Sequence, residues 1–344
     1  MTRSPLLALL FIGLFSIACS KDSGGSGGGG GGNTGGGGTG PTPVVPIISL
    51  PAGWKYNATY STNFPNGIQT FSFDTIFNGR TVKAFCLAFD TKLGLYDLKP
   101  VQSATAKKVS EFVSQEPGIV FGGINGGFFG GNSSYSLVKY NNQQSSVNIK
   151  SVNRTYNGTS AAYFPTRAAF GIRSNGSPTT AWIYHVGTGN DNIYSYQTPS
   201  PNAEGSAPQP VPTENFPSGG TAWAMPTAIG GSPMLLKDGQ VNISDVAELI
   251  NINNTTSRPR SAIGHTSNGI VLLLAVEGDN AVAGYPGVNL AELATMLLQL
   301  GCSDAINLDG GGSTSLVAAG RLTVRPGDAG VERPVVSAVL IKQK

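Results

Sequence analysis

The sequence predicts an α+β fold, a single domain with a mixed, mostly antiparallel β-sheet and a few flanking helices. Short apolar or alternating segments bounded by Gly, Asn and Pro recur along the chain, and this pattern is typical of strands. An Asn-Gly turn at residues 266–269 joins two apolar segments, which predicts a β-hairpin. Residues 289–300 instead repeat their apolar positions with the period of a helix.

The first half of the predicted domain is mainly strand. Residues 104–114 are an exception, because their apolar side chains would share one face of a helix. Residues 131–160 are rich in Asn and Ser, which predicts an exposed loop or hairpin region. Strands are predicted at residues 70–72, 82–89, 94–98, 168–172 and 181–185, with a glycine-rich strand and turn at 118–129.

The last third of the chain has the clearest pattern. Asn289 can cap the helix at 289–300, Glu292 completes an approximate capping box, and Gly301 supplies the stop. Strands are predicted at residues 228–237, 261–264, 269–276, 305–308, 314–318 and 335–341.

The N-terminal region is typical of a bacterial lipoprotein. Residues 1–18 combine an early arginine with a short apolar stretch, which predicts a secretory signal peptide rather than a permanent membrane helix. The small residues just before Cys19 resemble the lipobox of bacterial lipoproteins, and this resemblance implies that Cys19 carries a lipid. Residues 19–52 are predicted to form the anchor and a Gly/Ser-rich tether, and 53–344 the folded domain with a loop insertion at 197–220. We therefore expect a lipid-anchored protein of the cell envelope, with the outer membrane preferred.

Composition narrows the possible functions. Only 12% of residues are charged, and the net charge is +3. The sequence contains no run of basic residues of the kind that would indicate a nucleic-acid partner. The chain has two histidines, and no Cys/His spacing indicates zinc. Cys86 and Cys302 could form a disulfide in an oxidising compartment or stay as two separately buried thiols, and the sequence leaves both open.

The run at residues 307–313 is the strongest candidate for chemistry. Strand alternation would put Ile306 and Leu308 on a buried face and Asn307 and Asp309 together on the other. Gly310, Gly311 and Gly312 would let backbone N–H groups approach a ligand, and Ser313 adds a hydroxyl. The same pattern is also typical of a tight glycine turn.

Three further segments offer polar groups at strand ends. Asn125, Gly126 and Gly127 repeat the Asn-Gly pattern, although a bulge is the simpler interpretation. Arg260 could clamp a phosphate through its planar guanidinium, or it could be a solvated surface arginine. Glu277 ends an apolar strand and could serve as an acid, a base or a cation ligand.

These segments together resemble a known family. Five motifs occur in order within residues 80–341, and the chain is similar through them to the phosphodiester glycosidase family. The family includes the animal uncovering enzyme, which removes N-acetylglucosamine from a phosphodiester. The motifs are Asn125-Gly126-Gly127-Phe128-Phe129, Gly230-Gly231-Ser232-Pro233-Met234-Leu235, Arg258-Pro259-Arg260-Ser261-Ala262-Ile263-Gly264, Ala305-Ile306-Asn307-Leu308-Asp309-Gly310-Gly311-Gly312-Ser313 and Glu332-Arg333-Pro334.

The resemblance implies hydrolysis of a sugar-1-phosphodiester, such as an N-acetylglucosamine-1-phosphodiester, on extracytoplasmic glycans. Asp309 would act as base or nucleophile and Glu277 as a second carboxylate. Arg260 and the glycine N–H groups would hold the phosphate. Asn125, Asn307 and Ser313 would position sugar hydroxyls or phosphate oxygens, and His265 would be a possible proton carrier.

Two alternatives remain at this stage. The same groups could bind a surface glycan without cleaving it. They could also form a cation-dependent phosphodiesterase, with Asp309, Asn307, Glu277 and Asp279 as oxygen ligands of calcium or magnesium. The sequence itself requires no cofactor, and the expected partners are a phosphorylated glycan and, through Cys19, a membrane.

Overall fold

The computed structural model describes residues 44–279 and 284–344. Val45–Lys344 form one compact unit, and of the preceding unit, Met1–Val44, only Val44 is described. The predicted signal peptide, Cys19 and most of the predicted tether therefore lie outside the described residues. Within the described ranges, no helix is long and apolar enough to cross a membrane.

The fold is β-rich, so the predicted α+β class is wrong. Strand accounts for 45% of the structure and helix for only 9%. Every pair of strands among the described residues is antiparallel, so the predicted mixed sheet is also wrong. The physical reason is that sheets supply most of the buried surface, while the two longer helices each cover one outer face of a sheet.

The elements follow one another in short segments. The first strands are β1 Trp54–Tyr56, β2 Ile68–Phe77, β3 Arg80–Asp90, β4 Tyr96–Lys107, β5 Val120–Asn125, β6 Phe129–Gly130, β7 Ser133–Ser134, β8 Val138–Tyr140, β9 Gln143–Ser146, β10 Val152–Tyr156, β11 Thr159–Tyr163 and β12 Arg167–Ile172. The remaining strands are β13 Pro178–His185, β14 Ile193–Tyr196, β15 Thr221–Ala222, β16 Thr227–Gly230, β17 Met234–Lys237, β18 Gln240–Val241, β19 Arg260–Thr266, β20 Ile270–Val276, β21 Cys302–Asn307, β22 Leu316–Ala318, β23 Arg321–Leu322 and β24 Val335–Gln343. The helices are α1 Ala58–Ser61, α2 Val109–Gln115 and α3 Leu290–Gln299.

Three large sheets organise these strands. The eight-stranded sheet has the order β1-β2-β3-β20-β19-β21-β17-β18, and the five-stranded sheet has the order β23-β22-β5-β24-β4. The seven-stranded sheet has the order β15-β14-β13-β12-β16-β8-β9, and β14 and β15 flank residues 197–220. β19 and β20 pair from Arg260↔Val276 to His265↔Val271, which confirms the predicted hairpin.

The main core lies between the three large sheets. Leu87 of β3, Ile124 of β5 and Phe170 of β12 belong to the same buried cluster. α3 packs on the opposite face of the eight-stranded sheet, and α2 packs on the five-stranded sheet. The carboxyl end of β21 therefore emerges where the eight-stranded and five-stranded sheets adjoin, as contacts of Asp309 with the end of β5 show.

The two predicted helices have different outcomes. α3 forms as predicted, because Asn289 Oδ1 accepts from Glu292 N (2.9 Å) and Glu292 Oε2 accepts from Asn289 N (2.9 Å). The helix predicted at 104–114 is wrong at its start. Lys107 pairs with Val335, so β4 continues through this segment and α2 begins only at Val109. Pairing between strands outweighs a local helical pattern at this point.

The two cysteines of the folded unit are separately buried thiols. Cys86 lies on β3 and Cys302 on β21, and both are free. Burial raises the pKa of both thiols, because a thiolate is poorly solvated in an apolar core. The second of the two alternatives left by the sequence is therefore the one that the structure shows.

Candidate active site

The glycine run at residues 307–313 leaves the eight-stranded sheet at the end of β21. Asp309 N donates to the Gly126 carbonyl (3.2 Å), which joins the run to the end of β5. Gly311 N donates to the Pro259 carbonyl (2.9 Å), which joins it to the start of β19. The backbone around the candidate carboxylate is therefore fixed by two different sheets.

A cavity of about 430 Å³ opens over this run, and we call it the Asp309 cavity. Its lining combines carboxylates, guanidinium groups and glycine backbone, which suits an anionic ligand with a polar reaction centre. The lining residues are Phe128, Ile252, Asn253, Arg258, Arg260, Asp279, Asp309, Gly310, Gly311, Gly312, Asp328 and Arg333.

Asp309 is partly exposed within this cavity. Its Oδ1 accepts from Gly310 N (2.9 Å). Burial raises the pKa of Asp309 above its ordinary value, although the nearby Ser313 hydroxyl, the Gly310 amide and Arg333 each act in the opposite direction. A carboxylate with a raised pKa accepts a proton more readily than an ordinary aspartate does, which suits a general base.

Two half-exposed arginines stand over the cavity, each paired with an acid. Arg333 donates to both carboxylate oxygens of Asp328, at 2.7 and 2.8 Å, in a bidentate pair. Arg258 lies 3.4 Å from the carboxylate of Asp279. Both arginine side chains are 44% exposed, so a bound anion can reach them directly.

Gly311 and Gly312 are required for different reasons. Gly311 has φ +59° and open space around it, so its backbone conformation demands glycine. A Cβ on Gly312 would lie 2.2 Å from Arg333 Nη2 and 2.2 Å from Asp328 Oδ1. The second glycine therefore makes room for the ion pair beside the cavity.

Comparison with known proteins identifies the family of the chain. A sequence model of the phosphodiester glycosidase family matches residues 120–342, which is more than half of the chain and includes Asp309. The chain belongs to the phosphodiester glycosidase family. The resemblance that the motifs indicated is thus confirmed, and with it the assignment of the chain to a family of enzymes.

Curated relatives match over shorter stretches. Bovine N-acetylglucosamine-1-phosphodiester alpha-N-acetylglucosaminidase is 36% identical over 110 residues, which are 29% of this chain and 20% of the bovine protein. The SPbeta prophage-derived protein YomE of Bacillus subtilis is 30% identical over 107 residues, which are 31% of this chain and 16% of YomE. The chain therefore spans a fifth or less of the length of these relatives.

Two solved structures share the fold. The catalytic domain of the zebrafish N-acetylglucosamine-1-phosphodiester alpha-N-acetylglucosaminidase has a TM-score of 0.56 and 18% identity, covering 85% of this chain and 88% of the zebrafish chain. A hypothetical protein from Synechocystis has a TM-score of 0.54 and 20% identity, covering 82% of this chain and 63% of its own. The β-rich architecture is therefore shared with these two structures.

Asn125, the asparagine of the first family motif, hydrogen-bonds to the backbone of the protein. Asn125 is completely buried, so the structure corrects its predicted contact with a sugar. Its Nδ2 donates to the Asp309 carbonyl (2.7 Å), and its Oδ1 accepts from Ser261 Oγ (2.7 Å) and Ser315 N (3.2 Å). Asn125 thus positions the backbone of the candidate carboxylate.

The second asparagine is also buried, which corrects the predicted pairing of Asn307 with Asp309 on one open face. Asn307 is 1% exposed, and its Nδ2 donates to the Ser232 and Leu308 carbonyls, at 2.8 and 2.6 Å. β21 ends at Asn307 and the chain then turns, so strand alternation no longer governs where Asp309 points.

The predicted anion-binding glycines are mostly used for packing. A Cβ on Gly126 would lie 2.3 Å from Ser337 Oγ, and one on Gly127 would lie 2.4 Å from the Gly230 carbonyl. Gly310 N and Gly311 N already donate to Asp309 and to a backbone carbonyl, so two of the three amides in the run are occupied. Ser313 is buried beside Asp309 and does not line the cavity.

Arg260 borders the cavity, but the structure does not support it as a phosphate clamp. Its side chain is buried, and four of its five N–H donors bond to backbone carbonyls. Burial, together with the nearby charge of Arg258, lowers the pKa of the Arg260 guanidinium to about 10. The accepting carbonyls belong to Ile252, Asn253, Thr256 and Val288.

Glu277 does not line the cavity, which corrects its assignment as the second carboxylate. It is 2% exposed, and its Oε2 accepts from Arg325 N (3.1 Å) and lies 3.5 Å from Lys83 Nζ. The acids that share the cavity with Asp309 in the described residues are Asp279 and Asp328.

His265 lies far from the cavity, so its predicted role in proton transfer is wrong. It stands five residues beyond Arg260 on β19, which is about 16 Å at the rise of a strand. Its Nδ1 bonds to the Thr266 carbonyl (3.1 Å), and its Nε2 lies 3.6 Å from Asp304. Burial lowers its pKa, in keeping with a structural histidine.

Sequence reasoning gave little weight to several residues that the structure brings to the cavity. Arg258, Arg333 and Phe128 stand in the family motifs, but the sequence assigns none of them a role at the site. Asp328 lies outside the motifs and has no sequence signal of its own. The residues of each arginine–aspartate pair are separated in sequence, so only the folded structure shows that both pairs lie beside Asp309.

Proposed function

We propose that this chain hydrolyses the glycosidic bond of a sugar-1-phosphodiester, with Asp309 as the carboxylate that acts at the anomeric carbon. One observation carries the proposal. Asp309 lies in a cavity with two half-exposed arginines, within a chain of the phosphodiester glycosidase family. A carboxylate and a cationic anion-binding wall are the two parts that this reaction needs.

The reaction breaks the bond between the anomeric carbon and the phosphate oxygen. The oxygen keeps the electron pair, so the negative charge on the phosphate grows as it leaves. Arg333 and Arg258 are placed to stabilise that charge. Water supplies the new bond to carbon, and Asp309 either takes its proton or first attacks the carbon itself.

The relatives suggest the sugar. The bovine and human proteins are named N-acetylglucosamine-1-phosphodiester alpha-N-acetylglucosaminidases, and the human protein is 42% identical over 69 residues. We propose an N-acetylglucosamine-1-phosphodiester on an extracytoplasmic glycan as the first substrate to test. A glycan phosphodiester would then be the partner of the Asp309 cavity.

The experiment measures release of N-acetylglucosamine from a chromogenic N-acetylglucosamine-1-phosphodiester. Asp309→Asn should lower kcat by about a thousandfold or more, as loss of a catalytic carboxylate does. Asp304→Asn, at the opposite end of the sheet, is the matched control for loss of an acid. Binding without turnover above the Asp309→Asn level, across several sugar-1-phosphodiesters, would instead show a glycan-binding protein.

Oxygen-labelled water distinguishes the remaining alternative. Label in the sugar hydroxyl shows cleavage of the carbon–oxygen bond, and label in the phosphate shows a phosphodiesterase. Of the four predicted cation ligands, Asp309 and Asp279 line the cavity, whereas Asn307 and Glu277 do not. The described residues contain no group of three or more His, Cys, Asp and Glu placed to hold a metal ion. Repeating the assay with a chelator tests the calcium or magnesium requirement directly.

We also propose that the protein is exported and held at the cell envelope by a lipid on Cys19. The apolar segment, the small residues before Cys19 and the glycine-rich segment behind it support this location. A tether of this composition would let the Asp309 cavity reach glycans beyond the membrane surface.

A further inference from the structure

A second cavity of about 320 Å³ adjoins the Asp309 cavity, and Phe128 lines both. We call it the Arg167 cavity. Arg167, at the start of β12, and Arg154, on β10, contribute its two charged side chains. The rings of Phe128 and Tyr135 supply apolar surface. The two cavities therefore meet at the Phe128 side chain.

Arg167 is a buried cation with an unused donor. It is 7% exposed, its Nη1 donates to Ser232 Oγ (3.0 Å), and its Nε has no hydrogen-bond partner among the described residues. Asn148 is equally buried, and its Nδ2 also lacks a partner in the part of the chain that the structure describes. Two buried donors at the wall of one cavity require an acceptor, because an unsatisfied buried donor is costly.

The cavity has an excess of positive charge. No carboxylate lines it within the described ranges. Glu248 lies behind Ser232, is completely buried and already accepts five hydrogen bonds, so it balances Arg167 from the protein side only. Among the residues that the structure describes, the guanidinium of Arg154 donates to the Asn153 and Leu249 carbonyls, at 2.9 and 2.8 Å.

The pKa of Arg167 agrees with this charge distribution. Burial lowers it, Glu248 raises it, and Arg154 lowers it again. The two arginines therefore repel each other across the cavity. The Asp309 cavity differs, because each half-exposed arginine there faces its own carboxylate.

The two cavities lie on either side of a short piece of backbone. Ser232, in the Arg167 cavity, donates its N–H to the Asn307 carbonyl (2.9 Å). Asp309 follows two residues later and lines the other cavity. Only a short stretch of backbone therefore separates the Arg167 cavity from the candidate carboxylate.

We propose that the Arg167 cavity binds a second anionic group of the substrate, a carboxylate or phosphate carried on the sugar or on the alcohol beyond the phosphodiester. This proposal rests on the proposed function for the identity of the ligand. The anion is paired with the guanidinium groups of Arg167 and Arg154 and accepts from the Asn148 side chain. Phe128 and Tyr135 cover the carbon skeleton between the two charges. Substrates with a single charge therefore leave half of the region unused.

The kinetic test compares three N-acetylhexosamine or hexuronic acid 1-phosphodiesters. The first has a neutral sugar and a neutral alcohol, and we call it the neutral compound because its only charge is that of the phosphodiester. The other two carry a second anionic group and are called doubly charged: one has a carboxylate on the sugar, and one has a phosphate on the alcohol. We expect at least one of the two doubly charged compounds to show a KM about tenfold lower than the neutral one. Which of the two does so identifies the side of the bond that lies in the Arg167 cavity.

Two variants and a control locate the effect. Arg154→Gln should raise the KM of the charged compound about tenfold, to that of the neutral compound, and a folded Arg167→Gln should do the same. Arg173→Gln, an exposed arginine after β12, is the matched control and should keep the advantage. Equal KM values for all three compounds in the wild type, or an advantage that survives Arg154→Gln, would overturn the proposal.

Calorimetric binding of the same compounds to Asp309→Asn separates this proposal from the proposed function. Tighter binding of a doubly charged compound, lost in Asp309→Asn/Arg154→Gln, supports the second anion site even if the wild type turns over none of them. Turnover of the neutral diester with no preference in binding would keep the glycosidase and refute the second anion site.

Discussion

Among the three carboxylates that line the Asp309 cavity in the described residues, Asp309 alone makes no ion pair within 4 Å. Asp279 and Asp328 are held by arginines, whereas Asp309 accepts from a neutral backbone amide. This difference leaves one acid available to react while its two neighbours organise the cations. All three residues are aspartates, so what distinguishes the candidate reacting acid from the two ion-paired acids is the group that each one contacts.

At this scale we predict that the rate depends on the protonation of Asp309. Its anion is the active form, and its pKa is raised, so kcat/KM should fall as the pH drops through a value above the ordinary 3.8 of aspartate. Arg333→Gln removes a positive charge that lowers this pKa, so the acid limb should move to higher pH. The measurement is the pH profile of kcat/KM.

Arg258→Gln is the matched control, since Arg258 lines the same cavity but pairs with Asp279. The arginine that lowers the pKa of Asp309 is Arg333. Arg258→Gln should raise KM without moving the acid limb. An acid limb that stays in place in Arg333→Gln would contradict the assignment of this titration to Asp309.

At the scale of elements, the turn after β21 combines two kinds of glycine. Gly311 adopts a left-handed backbone conformation that favours glycine, whereas Gly312 leaves no room for a Cβ beside Arg333 and Asp328. The turn is supported from β5 through Asn125 and from the start of β19 through Pro259. This turn can hold the Asp309 carboxylate in place only because longer elements on both sides fix its backbone.

We predict that alanine at the two glycines separates stability from activity. Gly312→Ala should displace the Arg333–Asp328 pair and lower kcat/KM at least tenfold with a small loss of stability, since side-chain ends can move. Gly311→Ala should cost about 1 kcal/mol of unfolding free energy through its left-handed backbone and affect activity less. Urea denaturation and the chromogenic assay measure the two effects, and the reverse ranking of activities would refute the argument.

At the scale of the whole molecule, the folded unit begins before the first strand. Ile48 is buried in the core that contains α3, and the Gln69 side chain bonds both Val45 and Ile47. The chain is thus fastened to the eight-stranded sheet soon after the glycine-rich segment. The first residues of the compact unit, from Val45 onward, therefore already contribute to the packing of the domain that a lipid on Cys19 would anchor.

We predict that Cys19→Ala releases the protein from the membrane fraction while the purified domain keeps its activity. The reason is that residues 45–344 form a compact unit of their own. Fractionation of cells, with Cys86→Ala as the control for loss of a cysteine, provides the measurement. Membrane association that persists in Cys19→Ala without acylation would contradict lipid anchoring at this residue.

Local patterns predicted local structure well. α3 could be placed because its cap, its apolar face and its stop lie within thirteen residues, and the β19–β20 hairpin because its turn is encoded by adjacent residues. The start of α2 could not, because Val335, more than two hundred residues away, pairs with Lys107 and extends β4. The fold class failed for the same reason, since the number of strands depends on distant partners.

The candidate site was predictable only in part. Asp309 was found from a carboxylate beside three glycines, and the structure places it in the cavity. The choice between Arg260 and its neighbours could not be made, because carbonyls from residues 252–256 occupy the Arg260 guanidinium. Likewise, Glu277 looked available until the fold supplied Arg325 N as a donor. Which polar groups remain open to a ligand is a property of tertiary structure.

β24 occupies an interior position in the five-stranded sheet, between β5 and β4, although it is made from residues 335–343. The backbone of β5, which leads to Asn125 and Gly126, therefore has no complete set of neighbours until the last residues of the domain have been synthesised. A nascent chain lacking them exposes two unpaired strand edges. The active site should consequently appear late in biogenesis, in one cooperative step, and a chaperone that shields strand edges would act before that step.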